Sequence, residues 1–258
     1  MCLVTFMKDA HPEYPLILLA NRDEHYDRPA APIHRWTEYP NVTAGMDLKE
    51  YGTWLGYTDN GRIIVVLNHP FQDWGPTLEP PRSRGKLLKD YLTNDFTMEE
   101  FEEYLQENRT AYNGYHLLYG TFDDLRYYSN IEDRFQTFGK GLYCLANTKD
   151  DLSNHRMDRS SELLQQFVNT ITGDIKPEEL TAFFMDREVT ETMENYPKEL
   201  DREMAINNSS IFIKGEEFGT VGTTALLVKN DGTVHVREVK YDRDGISEVS
   251  EKTQKISR

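Results

Sequence analysis

Apolar residues enter this chain in short runs divided by polar turns. Cys2-Leu3-Val4-Thr5-Phe6-Met7 and Tyr14-Pro15-Leu16-Ile17-Leu18-Leu19-Ala20 are two such runs, with a polar stretch around Asp9–Pro12 between them. Segments of this length, rich in branched and aromatic side chains, fit the pleat of a strand, so an antiparallel hairpin is expected at the start. Gly52–Tyr57 and Arg62–Leu67 flank Thr58-Asp59-Asn60-Gly61. An Asn-Gly pair tolerates the left-handed backbone of a tight turn, which makes this the sharpest hairpin signal in the chain.

From Arg84 to Asn108 the period lengthens to that of a helix. Leu87, Leu88, Tyr91 and Leu92 share one face; after a capping Thr97 so do Met98, Phe101, Tyr104 and Leu105. Two helices broken near Asn94–Phe96 are expected. Tyr115–Tyr119, Leu125–Tyr128, Phe135–Phe138 and Leu142–Ala146 read as an antiparallel meander. A third helix is expected from about Asp151 or Asn154 to Val168, and a fourth begins at Pro177 with Leu180, Phe183, Phe184 and Met185 inward. Asp186–Ser210 has no clear period. Ile211–Ile213, Thr223–Val228 and Val234–Val239 are expected as closing strands, the last two joined through Lys229-Asn230-Asp231-Gly232, and the polar tail from Asp244 is expected to fray. Blocks of strands and pairs of helices do not alternate as βαβ units do, which favours an α+β fold with antiparallel or mixed sheets.

The chain has 258 residues with 38% hydrophobic and 12% aromatic side chains, enough for a packed interior, and a single domain over residues 1–258 is expected. Lys and Arg total 29 against 44 Asp and Glu, a formal net charge of -15. Such a surface repels polyanions, so nucleic acid and anionic membrane are not expected partners. No apolar run reaches the roughly 18 to 20 residues that span a bilayer. The opening residues carry Lys8, Asp9 and Glu13 instead of a long apolar core, so a cytoplasmic protein is expected. Two cysteines, Cys2 and Cys144, are too few for a disulfide scaffold, and the histidines lack ligand spacing, so neither metal nor cofactor is expected.

Cys2 carries the chemistry. Removal of Met1 would leave a thiol beside an α-amine whose reference pKa, about 7.7 to 8.0, suits a base at neutral pH. The other reading is a strand cysteine that only packs. Asn21-Arg22-Asp23-Glu24 follow the second apolar run, so a hairpin brings them beside Cys2, where a guanidinium favours thiolate and a carboxylate orients an ammonium; alone they would read as a solvated loop. Asn68 and Asn147 each end an apolar run, and such amides suit an oxyanion as well as a turn.

Met1-Cys2, Leu19-Ala20-Asn21-Arg22-Asp23-Glu24, Arg28-Pro29, Gly52-Thr53-Trp54-Leu55-Gly56, Ser83-Arg84-Gly85, Tyr112-Asn113-Gly114 and Leu145-Ala146-Asn147, in this order, resemble the NRDE family, the transport and Golgi organization protein 2 homologues. The match resumes at Phe218-Gly219-Thr220, after which relatives tend to have arginine where this chain has Val221. That family is similar to N-terminal nucleophile cysteine hydrolases of the choloylglycine hydrolase and penicillin V acylase type. The resemblance implies a four-layer αββα sandwich of two antiparallel sheets and no cofactor. It implies Cys2 as nucleophile, Arg22 and Asp23 beside it, and Asn68 and Asn147 at the oxyanion, with Asn21, Thr220 and Thr223 on the substrate side. The implied activity is cleavage of a linear amide of a small acylated metabolite through a Cys2 thioester. A non-catalytic carrier of a hydrophobic, lipid-like or haem-like ligand is the alternative, and a homodimer is compatible with either.

Overall fold

A computed structural model describes residues 2–69, 82–148, 152–171, 173–192 and 201–256. They form two compact units, one from the residues up to Asp27 together with Lys140–Gln254, the other from Arg28–Gly139 together with Lys255 and Ile256. Each is built on one antiparallel sheet with helices, so the α+β class expected from the sequence is the class observed.

The first unit holds β1 (Cys2–Lys8), β2 (Leu16–His25), β10 (Gly141–Ala146), β11 (Phe218–Val228), β12 (Thr233–Tyr241) and β13 (Ile246–Lys255), in the order β10-β1-β2-β11-β12-β13. Side chains alternate across a strand, and one face of this sheet meets α3 (His155–Thr170) and α4 (Pro177–Phe183). Leu3, Ile17, Leu19, Ala225 and Leu227 form a core there with Met157 and Leu164 of α3 and Leu180 of α4. Burying each such leucine contributes about 1.5–3 kcal/mol.

The second unit holds β3 (Ala30–Arg35), β4 (Val42–Asp47), β5 (Leu55–Thr58), β6 (Arg62–Asn68), β7 (Tyr115–Thr121), β8 (Leu125–Ser129) and β9 (Arg134–Thr137), in chain order across the sheet. α1 (Arg84–Thr93) and α2 (Met98–Glu107) set Leu87, Leu88, Tyr91, Phe101 and Leu105 on Ile64, Val66, Leu117 and Tyr119. The Asn-Gly hairpin forms as expected, with Gly61 at φ 80°. Gly52 and Gly85, from two of the family motifs, touch backbone to backbone: a Cβ on Gly52 would lie 2.3 Å from the Gly85 carbonyl carbon.

Thr97 caps α2 in a reciprocal box: its Oγ1 accepts from the Glu100 N–H at 3.2 Å, and the Glu100 carboxylate accepts from the Thr97 N–H at 2.8 Å. Thr97→Ala should lower the stability of the second unit by about 1 kcal/mol, read as a shift in urea midpoint at constant m-value.

Several expectations are corrected. Leu142–Ala146 does not continue the meander: as β10 it pairs with β1 in the other sheet. Ile211–Ile213 is not a strand, although Ile213 and Thr220 exchange backbone and side-chain hydrogen bonds. Within the tail, Ile246–Lys255 does not fray; it forms β13, an edge strand polar along most of its length. β3 and β4 carry no sequence signal of their own, because Pro32 and Gly45 interrupt their alternation. Between Asp186 and Ser210 a short helix, α5 (Arg202–Asn207), forms behind an Asp201 cap. The expected helix start at Asp151 falls outside the described residues.

Candidate active site

Register builds the site. β1 and β2 pair antiparallel with Cys2 opposite Arg22 and Leu3 opposite Asn21. On the other side of β1, Leu3 lies opposite Ala146, so Asn147, the first residue past β10, comes abreast of Cys2. β2 pairs in turn with β11, Asp23 opposite Thr220, Arg22 opposite Gly222 and Asn21 opposite Thr223, with a one-residue slip at Val221. Asn21-Arg22-Asp23-Glu24 is therefore not a loop after the strand. All four belong to β2, and the first three are buried.

Alternation divides them between two faces. Arg22 shares the Cys2 face, since directly opposed residues point the same way. Asn21 and Asp23 lie on the face that meets α3 and α4. There Asp23 Oδ2 pairs with Arg156 Nη2 at 2.9 Å, and Asp23 Oδ1 accepts from Thr220 Oγ1 at 2.7 Å. Asn21 Oδ1 accepts from Thr223 Oγ1 at 2.7 Å, and Asn21 Nδ2 donates to the Ile211 carbonyl at 2.9 Å. Arg156 Nη2 reaches that same carbonyl at 3.0 Å. Asn21, Thr220 and Thr223 thus bond within the protein, in a network that locks the ends of β2 and β11 to the helix layer.

Cys2 is a free, half-buried thiol. Its backbone nitrogen donates to Asn147 Oδ1. Burial pushes the thiol up from its ordinary pKa and the Asp23 charge adds to this, while a hydrogen bond from the Asp23 backbone N–H and the Arg22 guanidinium act in the opposite direction. Arg22 is buried, with Glu24 Oε2 3.9 Å from its Nη2. Cys144 is held differently: its sulfur contacts Thr5 Oγ1 at 3.1 Å and Ser160 Oγ at 3.4 Å, and burial raises its pKa too.

Of the sequence-predicted residues, Cys2 and Arg22 share one face of the six-stranded sheet with Asn147 beside Cys2 just past β10, and Asp23 lies on the other face. Asn68 ends β6 in the second unit, opposite Tyr115. Two residues of the first unit were not singled out from sequence. Arg156 is one; its signal was its place on the inward stripe of α3 with Met157, Ser160 and Leu164, where an arginine needs a buried anion. Glu238 on β12 is the other, an acid that continues the buried row of Val234 and Val236 in an alternating strand. Among the described residues no three His, Cys, Asp or Glu side chains converge as metal ligands, and no helix is long and apolar enough to cross a membrane.

A family model described as "Transport and Golgi organisation 2" matches residues 1–243. The chain is 27% identical over 262 residues to the Bos taurus transport and Golgi organization protein 2 homolog, and 27% identical over 259 residues to that of Homo sapiens, covering 92% of each chain in both cases. Among solved structures, a Caenorhabditis elegans N-acylethanolamine-hydrolyzing acid amidase ortholog superposes with a TM-score of 0.51 at 9% identity, covering 88% of this chain and 92% of that one. This last likeness shows the fold, that of the N-terminal nucleophile hydrolases.

Proposed function

This chain belongs to the Transport and Golgi organisation 2 family, and from that premise we propose that it is an N-terminal nucleophile cysteine hydrolase acting on a linear amide of a small acylated compound. One observation carries the reading: the Cys2 nitrogen is hydrogen-bonded to Asn147 while the Arg22 guanidinium stands opposite the same residue on the neighbouring strand. A cysteine kept only for packing needs neither. The amidase of like fold is named for hydrolysing an N-acylethanolamine, itself a linear amide.

In the proposed reaction, removal of Met1 turns the Cys2 nitrogen into an amine. Held by Asn147 Oδ1, that amine takes the thiol proton, and Sγ attacks the carbonyl carbon. The tetrahedral oxyanion accepts a hydrogen bond from Asn147 Nδ2, the donor end of the amide whose Oδ1 takes the Cys2 nitrogen. One such preorganised donor is worth roughly 2.7–4 kcal/mol of barrier. The ammonium then protonates the leaving amine as the C–N bond breaks. Water, deprotonated by the same amine, releases the acid from the thioester and restores the thiol. Asp23 acts at one remove, holding β2 so that Arg22 faces the thiol.

Intact-mass spectrometry tests this directly. The mature chain should lack Met1, and an activated acyl ester should add one acyl group, mapped to Cys2 by peptide sequencing. A mature chain that keeps Met1 and takes up no acyl group would overturn the hydrolase reading in favour of a ligand carrier.

A further inference from the structure

The Cys2 face of the six-stranded sheet holds a buried acid that the proposed reaction leaves unused. Register sets Cys2, Arg22, Gly222 and Lys240 in one row across β1, β2, β11 and β12, and Val4, Ala20, Thr224 and Glu238 in the next row on that face. Glu238 is 1% exposed. A carboxylate withdrawn so far from water needs a cation or several donors, or it destabilises the fold.

Its direction shows what it serves. Glu238 Oε1 lies 3.5 Å from Thr224 Oγ1 in its own row and 3.8 Å from where a Cβ on Gly222 would stand. The carboxylate therefore leans out of its row into that of Cys2 and Arg22, over the position there that has no side chain. Gly222 comes opposite Arg22 because the register slips at Val221. Bulges re-aim strand residues in this way beside functional sites. Two cations flank Gly222. Lys240 is the more exposed and has Glu248 at 3.9 Å; Arg22 is the buried one.

We propose that Glu238 is a positioning residue of the Cys2 centre, its carboxylate reaching across Gly222 to fix the Arg22 guanidinium beside the thiol. The consequence for catalysis rests on the hydrolase reading; the arrangement itself does not. Among the described residues, Glu24 and Lys240 are charged groups on this face and Asp23 lies on the other with its carboxylate on Arg156; the chain's α-ammonium also acts on the Cys2 thiol.

The test is the alkylation rate of Cys2 by iodoacetamide across pH, in the full chain with Cys144→Ser as background. At pH 7, E238Q should slow alkylation by about tenfold, the effect of one unit of thiol pKa, with the pH midpoint displaced upward. R22Q should do the same, and E238Q/R22Q should be no slower than either alone, because the two residues act as one device. A wild-type rate in E238Q, a midpoint displaced downward, or losses that multiply in the double variant would overturn the proposal. Should E238Q fail to fold, E238D keeps the charge and shortens the arm: a slowed rate supports the proposal and a wild-type rate overturns it. Alkylation needs no substrate, so this result stands apart from whether the chain hydrolyses amides.

Discussion

Arg156→Met should lower the folding stability of this protein by about 3–5 kcal/mol, the effect of stranding one partner of a buried ion pair. Arg156 and Asp23 have side chains 2% and 0% exposed, their closest approach is 2.9 Å, and they join α3 to the middle of the six-stranded sheet. Removing the guanidinium leaves a carboxylate shut away from water, with the Thr220 hydroxyl still donating to it. Asp23→Asn should cost less in the Arg156→Met background than in the wild type, because an amide still accepts from Thr220 and the stranded charge is gone. Urea unfolding of the four proteins closes the cycle. An Arg156→Met variant within about 0.5 kcal/mol of wild type, the range of an ordinary surface change, would show that the pair does not hold β2 to α3.

The consequence reaches the other face of the sheet. Asp23 and Arg22 are successive residues of one strand, so the anchor that buries Asp23 against α3 also fixes the angle at which Arg22 stands opposite Cys2. Taken alone, the charged quartet after an apolar run reads as a solvated loop, because nothing local announces that β1 flanks Asn21 and Arg22 and that β11 flanks all four. β1 pairs with β2 as far as Arg22 and β11 carries the strand on to His25, and alternation then gives Asn21 and Asp23 to the helices and Arg22 to the thiol. The start of the chain, the Asn-Gly hairpin, α1, α2 and the cap at Thr97 were legible because their signals are local: a period, a turn pair, a hydroxyl three residues before a glutamate. β13 was not, since an edge strand with polar residues on both sides has no period to show. The partnership of Arg156 with Asp23 joins residues 133 positions apart, and no spacing rule reaches that far. The nearness of Cys2 to Asn147 was legible only through the family motifs.

Cys2→Ala should abolish amide hydrolysis and acyl labelling and leave the unfolding midpoint nearly unchanged, since a half-buried sulfur at the end of β1 contributes little packing. Loss of activity alone would not distinguish a nucleophile from a positioning thiol, so the sharper comparison keeps the sulfur and removes the amine. A chain extended by a few residues ahead of Met1 retains Cys2, Asn147 and Arg22, but its Cys2 nitrogen stays a peptide amide that donates to Asn147 and has no lone pair for a proton. Burial then holds the thiol above its ordinary pKa. Only the thiolate attacks, so alkylation in this extended chain should still be rising with pH beyond the ordinary thiol range. In the processed chain the adjacent ammonium favours thiolate, and the same curve should sit at lower pH. Turnover by the extended chain should fall by roughly 10²–10⁴, the contribution of a positioned general base. Turnover at the processed rate would mean that the proton leaves the thiol by another route, and the Cys2 amine would lose its part in the mechanism while the thioester kept its own.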